Sequence, residues 1–256
     1  MKISMHNLSF GFSGKKIFAG LNAEFDSSEA GRPVVILGPS GSGKTTLLKI
    51  LGGLLRPQEG EIRYSSEPDS AEYDSTKPRA AFMFQEPRLL PWLTVLENVR
   101  MPLEKDSGRE EAEARARQFL SLVSLKEKEK SYPKELSGGE AQRVSMARAF
   151  AWFAPVLIMD EPFQSLDIPL RLGLMDLTMS LLEKENLSNR KHFLVAVTHD
   201  PREAVYMAGR IIVLGRCGEG IVFDKTVNLS AEDRAYGSAA SVELEKEIIN
   251  KLGMID

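Results

Sequence analysis

The segment Gly38-Pro39-Ser40-Gly41-Ser42-Gly43-Lys44-Thr45 constrains the fold of this 256-residue chain more than any other feature. It fits the pattern G-x-x-x-x-G-K-[ST], follows the apolar run 34–37 and leads into a helical pattern over residues 45–54. A strand, a glycine-rich turn and a helix in this order form a phosphate-binding loop. A glycine-rich turn without a ligand is the alternative, and the flanking strand and helix argue against it.

The residue types of this loop predict its chemistry. Glycines permit backbone torsions that let successive N–H groups converge on phosphate oxygens at a helix N-terminus. The Lys44 ammonium group would neutralise the β- and γ-phosphates of ATP, and the Thr45 hydroxyl would hold Mg²⁺. We therefore predict ATP and Mg²⁺ as cofactors. The predicted nucleotide contacts in this loop are Gly38, Pro39, Ser40, Gly41, Ser42, Gly43, Lys44, Thr45 and Thr46.

A second run, residues 156–161, predicts a buried strand that ends in the carboxylates Asp160 and Glu161. Adjacent residues on a strand point in opposite directions, so the two acids should have different roles. We predict that Asp160 binds the nucleotide's Mg²⁺ and that Glu161 polarises the attacking water. Two acids that cap a helix are the alternative. Beside the phosphate loop, catalysis of ATP hydrolysis is the favoured interpretation.

Composition excludes several classes of protein. The net charge is −3, which offers no electrostatic footprint for nucleic acid, so we predict no nucleic-acid partner. Cys217 is the only cysteine, so no intrachain disulfide can form and a reducing compartment is expected. No run approaches the roughly 20 apolar residues that span a bilayer. We expect a soluble chain whose membrane contact comes through a partner.

Hydrophobic patterning predicts an α/β fold with a largely parallel sheet. The predicted strands are 3–8, 21–25, 34–37, 80–84, 156–159, 193–197 and 211–214, and the predicted helices are 45–54, 110–123, 139–151, 170–185 and 201–208. Residues 1–85 and 153–223 would form a nucleotide-binding core, and the helix-rich stretch of about 86–152 an inserted helical subdomain. Residues 65–78 are expected to form a surface loop, and 224–256 a C-terminal tail.

The segment Leu136-Ser137-Gly138-Gly139-Glu140 precedes a predicted helix that contains Gln142 and Arg143. Ser137 and Glu140 have the S-x-x-E spacing of a capping box, and a capped helix N-terminus can also meet a phosphate. The segment closely resembles the signature of ATP-binding-cassette (ABC) ATPases. That resemblance implies that Ser137, Gly138, Gly139 and Glu140 contact the γ-phosphate of ATP held by another protomer. A homodimer is therefore expected, with half of each site on one chain.

Three further landmarks of that family occur in order: Gln85, the Ser165-Leu166-Asp167 segment and His199. By resemblance, Gln85 binds Mg²⁺ or positions water, Asp167 communicates across the dimer, and His199 contacts the γ-phosphate. Taken separately, they could be a strand-end amide, a helix cap and a turn residue. The family also places an aromatic residue against adenine. Phe12 falls at that position with Phe10 as a competitor, and either could simply pack on a strand.

Residues 84–92, FQEPRLLPW, and 94–99, TVLENV, look very like the import ATPases for nitrate, sulfonates, taurine and related compounds. The family fold then implies a P-loop NTPase sheet core with an N-terminal antiparallel β portion. Apolar side chains beside Arg88 are suited to gripping a short partner helix. In the family, this region receives the coupling helix of a membrane permease. The alternative is that Trp92 packs internally while Thr94 and Glu97 cap a helix.

The resulting expectation is the ATP-hydrolysing subunit of a bacterial importer, peripheral on the cytoplasmic face of the cell membrane. Its partners would be integral membrane permease subunits and, indirectly, a solute-binding protein. A soluble ABC ATPase of DNA repair or translation, an export-type ABC ATPase and a P-loop small-molecule kinase are the rivals. A kinase would not need residues 136–140. The transported compound stays open, because its contacts lie in the permease and the binding protein.

Overall fold

The computed structural model describes residues 1–26, 32–65, 79–164, 166–187 and 192–254. The strands are β1 (Lys2–Phe12), β2 (Lys15–Asp26), β3 (Val34–Leu37), β4 (Glu59–Ser65), β5 (Ala80–Met83), β6 (Val156–Asp160), β7 (Phe193–Val197), β8 (Arg210–Leu214) and β9 (Ile221–Thr226). The α-helices are α1 (Lys44–Leu51), α2 (Val95–Arg100), α3 (Arg109–Leu122), α4 (Gly138–Ala151), α5 (Ile168–Leu187), α6 (Pro201–Met207) and α7 (Ala239–Gly253). Two compact units result, Met1–Ala80 with Phe193–Asp256, and Ala81–His192.

The first unit begins with an antiparallel sheet of order β2-β1-β4. The tight turn between β1 and β2 places Ser13 and Gly14 at positive φ, as a two-residue hairpin with right-handed strand twist requires. Ile3, Met5 and Leu8 are buried on β1, and Ile3 pairs with Phe25 of β2. The N-terminal antiparallel β portion expected from the resemblance is confirmed.

The second sheet of this unit contains β7-β3-β8-β9. Strands β7 and β8 both run parallel to β3, and β9 returns antiparallel to β8. Every residue of β3 and of β7 is buried, which explains why both read as continuous apolar runs. Because parallel strands end at the same edge of a sheet, the chain leaves β3 and β7 side by side.

A buried arginine fastens the C-terminal segment of the first unit. The guanidinium group of Arg234 donates to the carbonyl oxygens of Val205 at 3.0 Å, Ala208 at 2.6 Å and Val227 at 2.8 Å. Burial lowers the pKa of Arg234 to about 10. Two of the three acceptors lie at the C-terminal end of α6, where helix carbonyls lack partners along the helix. The tail is thereby tied to α6.

The second unit has β5 and β6 as hydrogen-bonded neighbours, together with α2, α3, α4 and α5. The interval between Gln85 and Trp152, all of it described, contains α-helices and short 3-10 turns but no strand, as the sequence predicted. Helix α4 is largely buried and contacts α2, α3 and α5. The predicted subdomain of about 86–152 lies inside this unit, which also holds β6 and α5.

Three elements were not predicted. Strands β4 and β9 are mostly exposed, so they lack a clear apolar alternation. Helix α7 buries only a narrow stripe, with Ser241, Leu244 and Ile248. The predicted surface loop 65–78 falls, apart from Ser65, outside the described residues. Within the described ranges, no helix combines the length and apolar character needed to cross a bilayer.

Candidate nucleotide-binding site

The phosphate loop, residues 38–46, connects β3 to α1 in the first unit. Gly41 and Gly43 have φ values of 79° and 98°, in the left-handed region that favours glycine. A Cβ atom at Gly43 would collide with Ile17 and lie 2.9 Å from Cζ of Phe18. Position 43 therefore admits only glycine, both for its torsion and for the close approach of β2.

The N-terminus of α1 follows directly from this turn. Gly43 is the N-cap residue and makes no side-chain cap, and no acidic residue occupies the first helical turn. The positive end of the helix dipole is consequently not compensated by the helix's own first turn. Gly38, Ser42 and Lys44 are buried, Pro39, Gly43 and Thr46 are half-buried, and Ser40, Gly41 and Thr45 are exposed.

The surroundings of two polar side chains of the loop indicate whether a phosphate group fits here. Lys44 Nζ donates to the carbonyl oxygens of Gly38 at 2.9 Å and Pro39 at 3.0 Å, which holds the ammonium group across the loop. The Ser42 hydroxyl is buried and has no hydrogen-bond partner among the described residues. A buried hydroxyl without a partner is costly. A bound anion would relieve this cost, so the loop fits a phosphate.

A hairpin of the second sheet also supports the loop. The thiol of Cys217, in the turn between β8 and β9, donates to the Gly41 carbonyl at 3.0 Å. The next residue, Gly218, donates its N–H to the carbonyl of Ile17 at 2.9 Å. The hairpin tip thus contacts both the phosphate loop and β2. Nothing in the sequence pattern indicated this contact, because it joins residues 176 positions apart.

His199 lies directly after β7, next to the end of β3. Thr198 donates its N–H to the carbonyl of Ile36 at 3.2 Å, which continues the parallel pairing of β7 with β3 by one residue. The His199 side chain is exposed, whereas Thr198 and Asp200 on either side are buried. The first unit therefore brings His199 and the phosphate loop to the same edge of its parallel strands.

The two candidate adenine contacts differ in accessibility. Phe12 is 52% exposed and Phe10 is 7% exposed. Their rings meet edge to face, with centroids 5.0 Å apart. Phe10 is the strand-packing residue, and it supports the accessible Phe12 ring from one side. Stacking of Phe12 on adenine stays a prediction.

The two acids of the second unit differ in backbone conformation. Strand β6 ends at Asp160, and Glu161 has φ 48°, so the prediction that both acids lie on the strand is wrong. A turn closed by the Gln164 N–H to the Glu161 carbonyl at 3.2 Å follows the strand. Left-handed torsions are uncommon for a residue with a side chain and recur at functional sites. The two adjacent acids therefore differ in orientation because Glu161 has a left-handed torsion, and not because both follow strand alternation.

The signature segment, residues 136–140, forms the N-terminus of α4. Ser137 Oγ accepts from the Glu140 N–H at 3.2 Å, and Glu140 Oε2 accepts from the Ser137 N–H at 2.8 Å. The predicted capping box is confirmed, and the Ser137 N–H bond lowers the pKa of Glu140. Ser137 and Gly138 are exposed, whereas a Cβ at Gly139 would lie 2.6 Å from Leu170. The exposed end of α4 is available to an anion from outside the chain.

Gln85 and the residues after it form an exposed region that we call the docking segment, residues 84–93. Gln85 is exposed, and Trp92 is 70% exposed, so the alternative of internal packing for Trp92 is wrong. The Arg88 guanidinium lies 4.1 Å above the ring of Phe84. The cap of α2 by Thr94 and Glu97, which the sequence offered as the other part of that alternative, is present.

Two polar side chains, the half-buried Arg148 and the buried Asn98, hold the docking segment. Arg148 of α4 donates to the carbonyls of Pro87 at 2.8 Å and Arg88 at 3.0 Å, and burial lowers its pKa. Asn98 of α2 accepts from the Leu90 N–H at 2.8 Å and donates to the Leu90 carbonyl at 3.1 Å. The same helix that begins at the signature segment therefore contacts the backbone just beyond Gln85.

Asp167 caps α5. Its Oδ1 accepts from the Leu170 N–H at 2.9 Å, which is the capping alternative for this residue. The side chain is exposed, and its proposed role across a dimer stays a prediction. Ser165 lies outside the described residues.

No cluster of three or more His, Cys, Asp or Glu residues suited to a metal occurs in the described part of the chain. The predicted metal ligands are of mixed type, a hydroxyl, an amide and a carboxylate, from Thr45, Gln85 and Asp160.

The strand, left-handed glycine turn and helix of residues 34–51 define a P-loop nucleotide-binding protein. Residues 22–164 match the family model described as ABC transporter, and the chain belongs to that family. It is 37% identical to the aliphatic sulfonates import ATP-binding protein SsuB 1 of Mesorhizobium japonicum, over 94% of this chain and 84% of that protein. It is 39% identical to the protein of the same name from Rhizobium johnstonii, over 96% and 84%. The family resemblance inferred from the sequence is confirmed.

A solved structure shows the same fold. The chain resembles the dimeric structure of MJ0796, described as a bacterial ABC transporter cassette, with a TM-score of 0.71 and 32% identity, over 89% of this chain and 100% of that one. A post-hydrolysis dimer of the same cassette, bound to ADP and Pi, superposes with the same TM-score. The predicted α/β class with a P-loop sheet core is confirmed.

Proposed function

We propose that the chain is the ATP-hydrolysing subunit of a bacterial ABC importer for aliphatic sulfonates. The observation that carries the proposal is the phosphate loop, with its left-handed glycines, buried Lys44 and unpartnered Ser42 hydroxyl. The solute class comes from relatives that match more than nine-tenths of this chain and are named for aliphatic sulfonate import. The names of these relatives narrow the proposed solute from the nitrate, sulfonate and taurine group expected from the sequence to aliphatic sulfonates.

Each polar residue of the site has a task in ATP hydrolysis. Lys44 and the N–H groups at the start of α1 bind the phosphates, and Thr45, Asp160 and Gln85 hold Mg²⁺. Mg²⁺ held by these residues would supply positive charge that offsets the negative charge on the phosphates. Glu161 orients and polarises the attacking water, and His199 contacts the γ-phosphate. Phe12 presents its ring to adenine.

Two copies of the chain form the active unit. The exposed N-terminus of α4 at Ser137 and Gly138 has positive dipole character and is accessible to an anion. In a homodimer, it meets the γ-phosphate held by the partner's loop, and Asp167 lies at the same interface. The dimeric cassettes that share this fold support the arrangement.

The docking segment is the surface for the permease. The exposed Trp92 ring and the Arg88 guanidinium offer an aromatic and a cationic contact, as a short amphipathic helix requires. The subunit would then be peripheral on the cytoplasmic face of the membrane and meet the solute-binding protein only through the permease. The names of the relatives favour import over export, DNA repair or translation.

ATP drives the cycle by favouring the closed dimer. A ligand shifts a conformational equilibrium only by the difference in its affinity for the two states. A γ-phosphate shared between the phosphate loop of one copy and the signature segment of the other supplies such a difference, because the second contact exists only when the dimer is closed. Hydrolysis removes the shared phosphate and resets the subunit.

Reconstitution tests the proposal. The chain is co-purified with its permease, placed in liposomes and assayed for ATP-dependent uptake of labelled alkanesulfonate in the presence of the solute-binding protein. We expect uptake and a sulfonate-stimulated ATPase rate, with Lys44→Ala as the inactive control. Uptake of nitrate but not of alkanesulfonate would overturn the solute class, and export from loaded liposomes would overturn the direction.

A further inference from the structure

The turn that carries His199 is held from both sides by buried groups. Thr198 is 4% exposed and Asp200 is buried, yet the imidazole between them is exposed. A turn whose flanking residues are fixed presents its central side chain in a narrow range of directions. What fixes the flanking residues therefore limits where the imidazole can point.

The Thr198 hydroxyl acts both as a donor and as an acceptor. It accepts the Asp200 N–H at 3.1 Å and donates its proton to Glu203 Oε2 at 2.5 Å. Because the hydroxyl hydrogen is committed to Glu203, a lone pair remains for the Asp200 N–H. Glu203 thus sets the orientation of the hydroxyl that closes the turn around His199.

Glu203 is an unusual residue for this task, because it is 5% exposed and carries a carboxylate into the interior. Burial of a carboxylate is unfavourable unless hydrogen bonds compensate it. Glu203 is the third residue of α6, the position from which a glutamate ordinarily reaches back to the N-cap backbone N–H. Here the N-cap Asp200 N–H is accepted by Thr198, and the carboxylate holds Thr198.

The far side of the turn is fixed separately. Asp200 Oδ1 accepts the Arg202 N–H at 2.9 Å and caps α6. The Arg202 guanidinium donates two further hydrogen bonds to the same carboxylate, to Oδ1 at 3.1 Å and to Oδ2 at 2.8 Å. Helix α6 therefore has its own cap without Glu203, so the buried Glu203 carboxylate is not needed to start the helix.

We propose that Glu203 is a positioning residue, which acts through the Thr198 hydroxyl to aim His199 at the nucleotide site. The inference rests on the proposed function, because it assumes that His199 contacts the γ-phosphate. Glu203 touches neither nucleotide nor water in this scheme. Its loss would loosen the turn and lower the rate of hydrolysis while leaving nucleotide binding by the phosphate loop intact.

The test is a double-mutant cycle on the full chain. Single-turnover phosphate release and ATP affinity are measured for the wild type, Glu203→Ala, His199→Ala and the double variant, with the exposed Glu232→Ala as matched control. Misplacement of a group by about 1 Å can cost on the order of 100-fold in rate. We expect Glu203→Ala to slow phosphate release by about 10- to 100-fold, while its ATP affinity stays within about twofold of the wild-type value. In the His199→Ala background, the same change should have no further effect.

Conservative variants separate positioning from folding. Glu203→Gln keeps an acceptor for the Thr198 hydroxyl and should recover most of the rate, whereas Thr198→Val removes the hydroxyl at similar volume and should reproduce Glu203→Ala. If Glu203→Ala does not fold, the cycle is run with Thr198→Val. Wild-type turnover in both variants, or additive losses with His199→Ala, would overturn the positioning role. A wild-type chain that releases no phosphate would overturn the proposed function itself.

Discussion

The side-chain amide of Gln142 donates a 2.5 Å hydrogen bond to the carbonyl oxygen of Pro162. This buried bond ties α4 to the turn that follows Asp160 and Glu161. The turn is closed a second time by the Gln164 N–H and the Glu161 carbonyl. Neither bond uses the Glu161 carboxylate. Both bonds can therefore persist when that carboxylate is changed.

Glu161→Gln preserves shape and backbone while removing the carboxylate proposed to polarise water. General-base loss typically lowers a rate by about 10²–10⁴-fold. We expect a protein that binds Mg–ATP, closes as a dimer and then stalls. Phosphate release, Mg–ATP affinity and dimer fraction are measured on one preparation. Near-normal phosphate release would refute the catalytic role, and a parallel loss of Mg–ATP affinity would make Glu161 a metal ligand instead.

Lys44→Ala should weaken ATP binding by roughly 10- to 100-fold, because a hydrogen bond to a charged group contributes about 1.5–3 kcal/mol. Lys49→Ala, in the last turn of the same helix, is the matched control and should bind ATP normally. Calorimetric titration measures both. Unchanged affinity in Lys44→Ala would contradict the assignment of the phosphate loop.

Ser137→Arg should abolish ATP-dependent dimerisation, because a bulky cation at the N-terminus of α4 obstructs a phosphate from the partner. ATP binding by the monomer should remain. Ser137→Ala is the control for the capping box, whose loss costs about 1 kcal/mol of stability without adding bulk. Light scattering with ATP should show dimers for the wild type and for Ser137→Ala, but not for Ser137→Arg. Normal ATP-driven dimers of Ser137→Arg would remove the main support for a shared site.

Replacement of Arg88 and Trp92 by alanine should uncouple the subunit from its permease without affecting ATP binding. Trp92 is exposed, so its loss should change thermal stability little. Met101→Ala, an exposed apolar residue of the same unit outside the docking segment, is the control. A pull-down with the permease measures the interaction. Retention of the permease by the double variant would show that the docking surface lies elsewhere.

The sequence predicts best where one local pattern decides the structure. The G-x-x-x-x-G-K-T pattern gave the phosphate loop because its glycines are required by torsion and by the contact of Gly43 with β2. The S-x-x-E spacing gave the cap of α4 because both hydrogen bonds form within four residues.

Prediction failed where contacts are distant or burial is slight. Glu161 lies outside β6 because the turn after the strand holds it at positive φ. A glutamate at that position does not predict such a torsion. The bonds of Arg148 to the docking segment and of Cys217 to Gly41 join elements far apart in sequence. Trp92 is the opposite case, because the sequence favoured a partner contact over internal packing and the exposure of the side chain excludes internal packing.

Arg234 makes the C-terminal segment important for the stability of the first unit. Its guanidinium donates to Val205 and Ala208 at the end of α6 and to Val227 just after β9. A nonsense or frameshift mutation upstream of codon 234 would remove this side chain together with α7 and leave those oxygens without the Arg234 donor. The loss would destabilise α6, the helix that directly follows the turn carrying His199. Premature stop codons in this region should therefore behave as loss-of-function alleles rather than as harmless truncations.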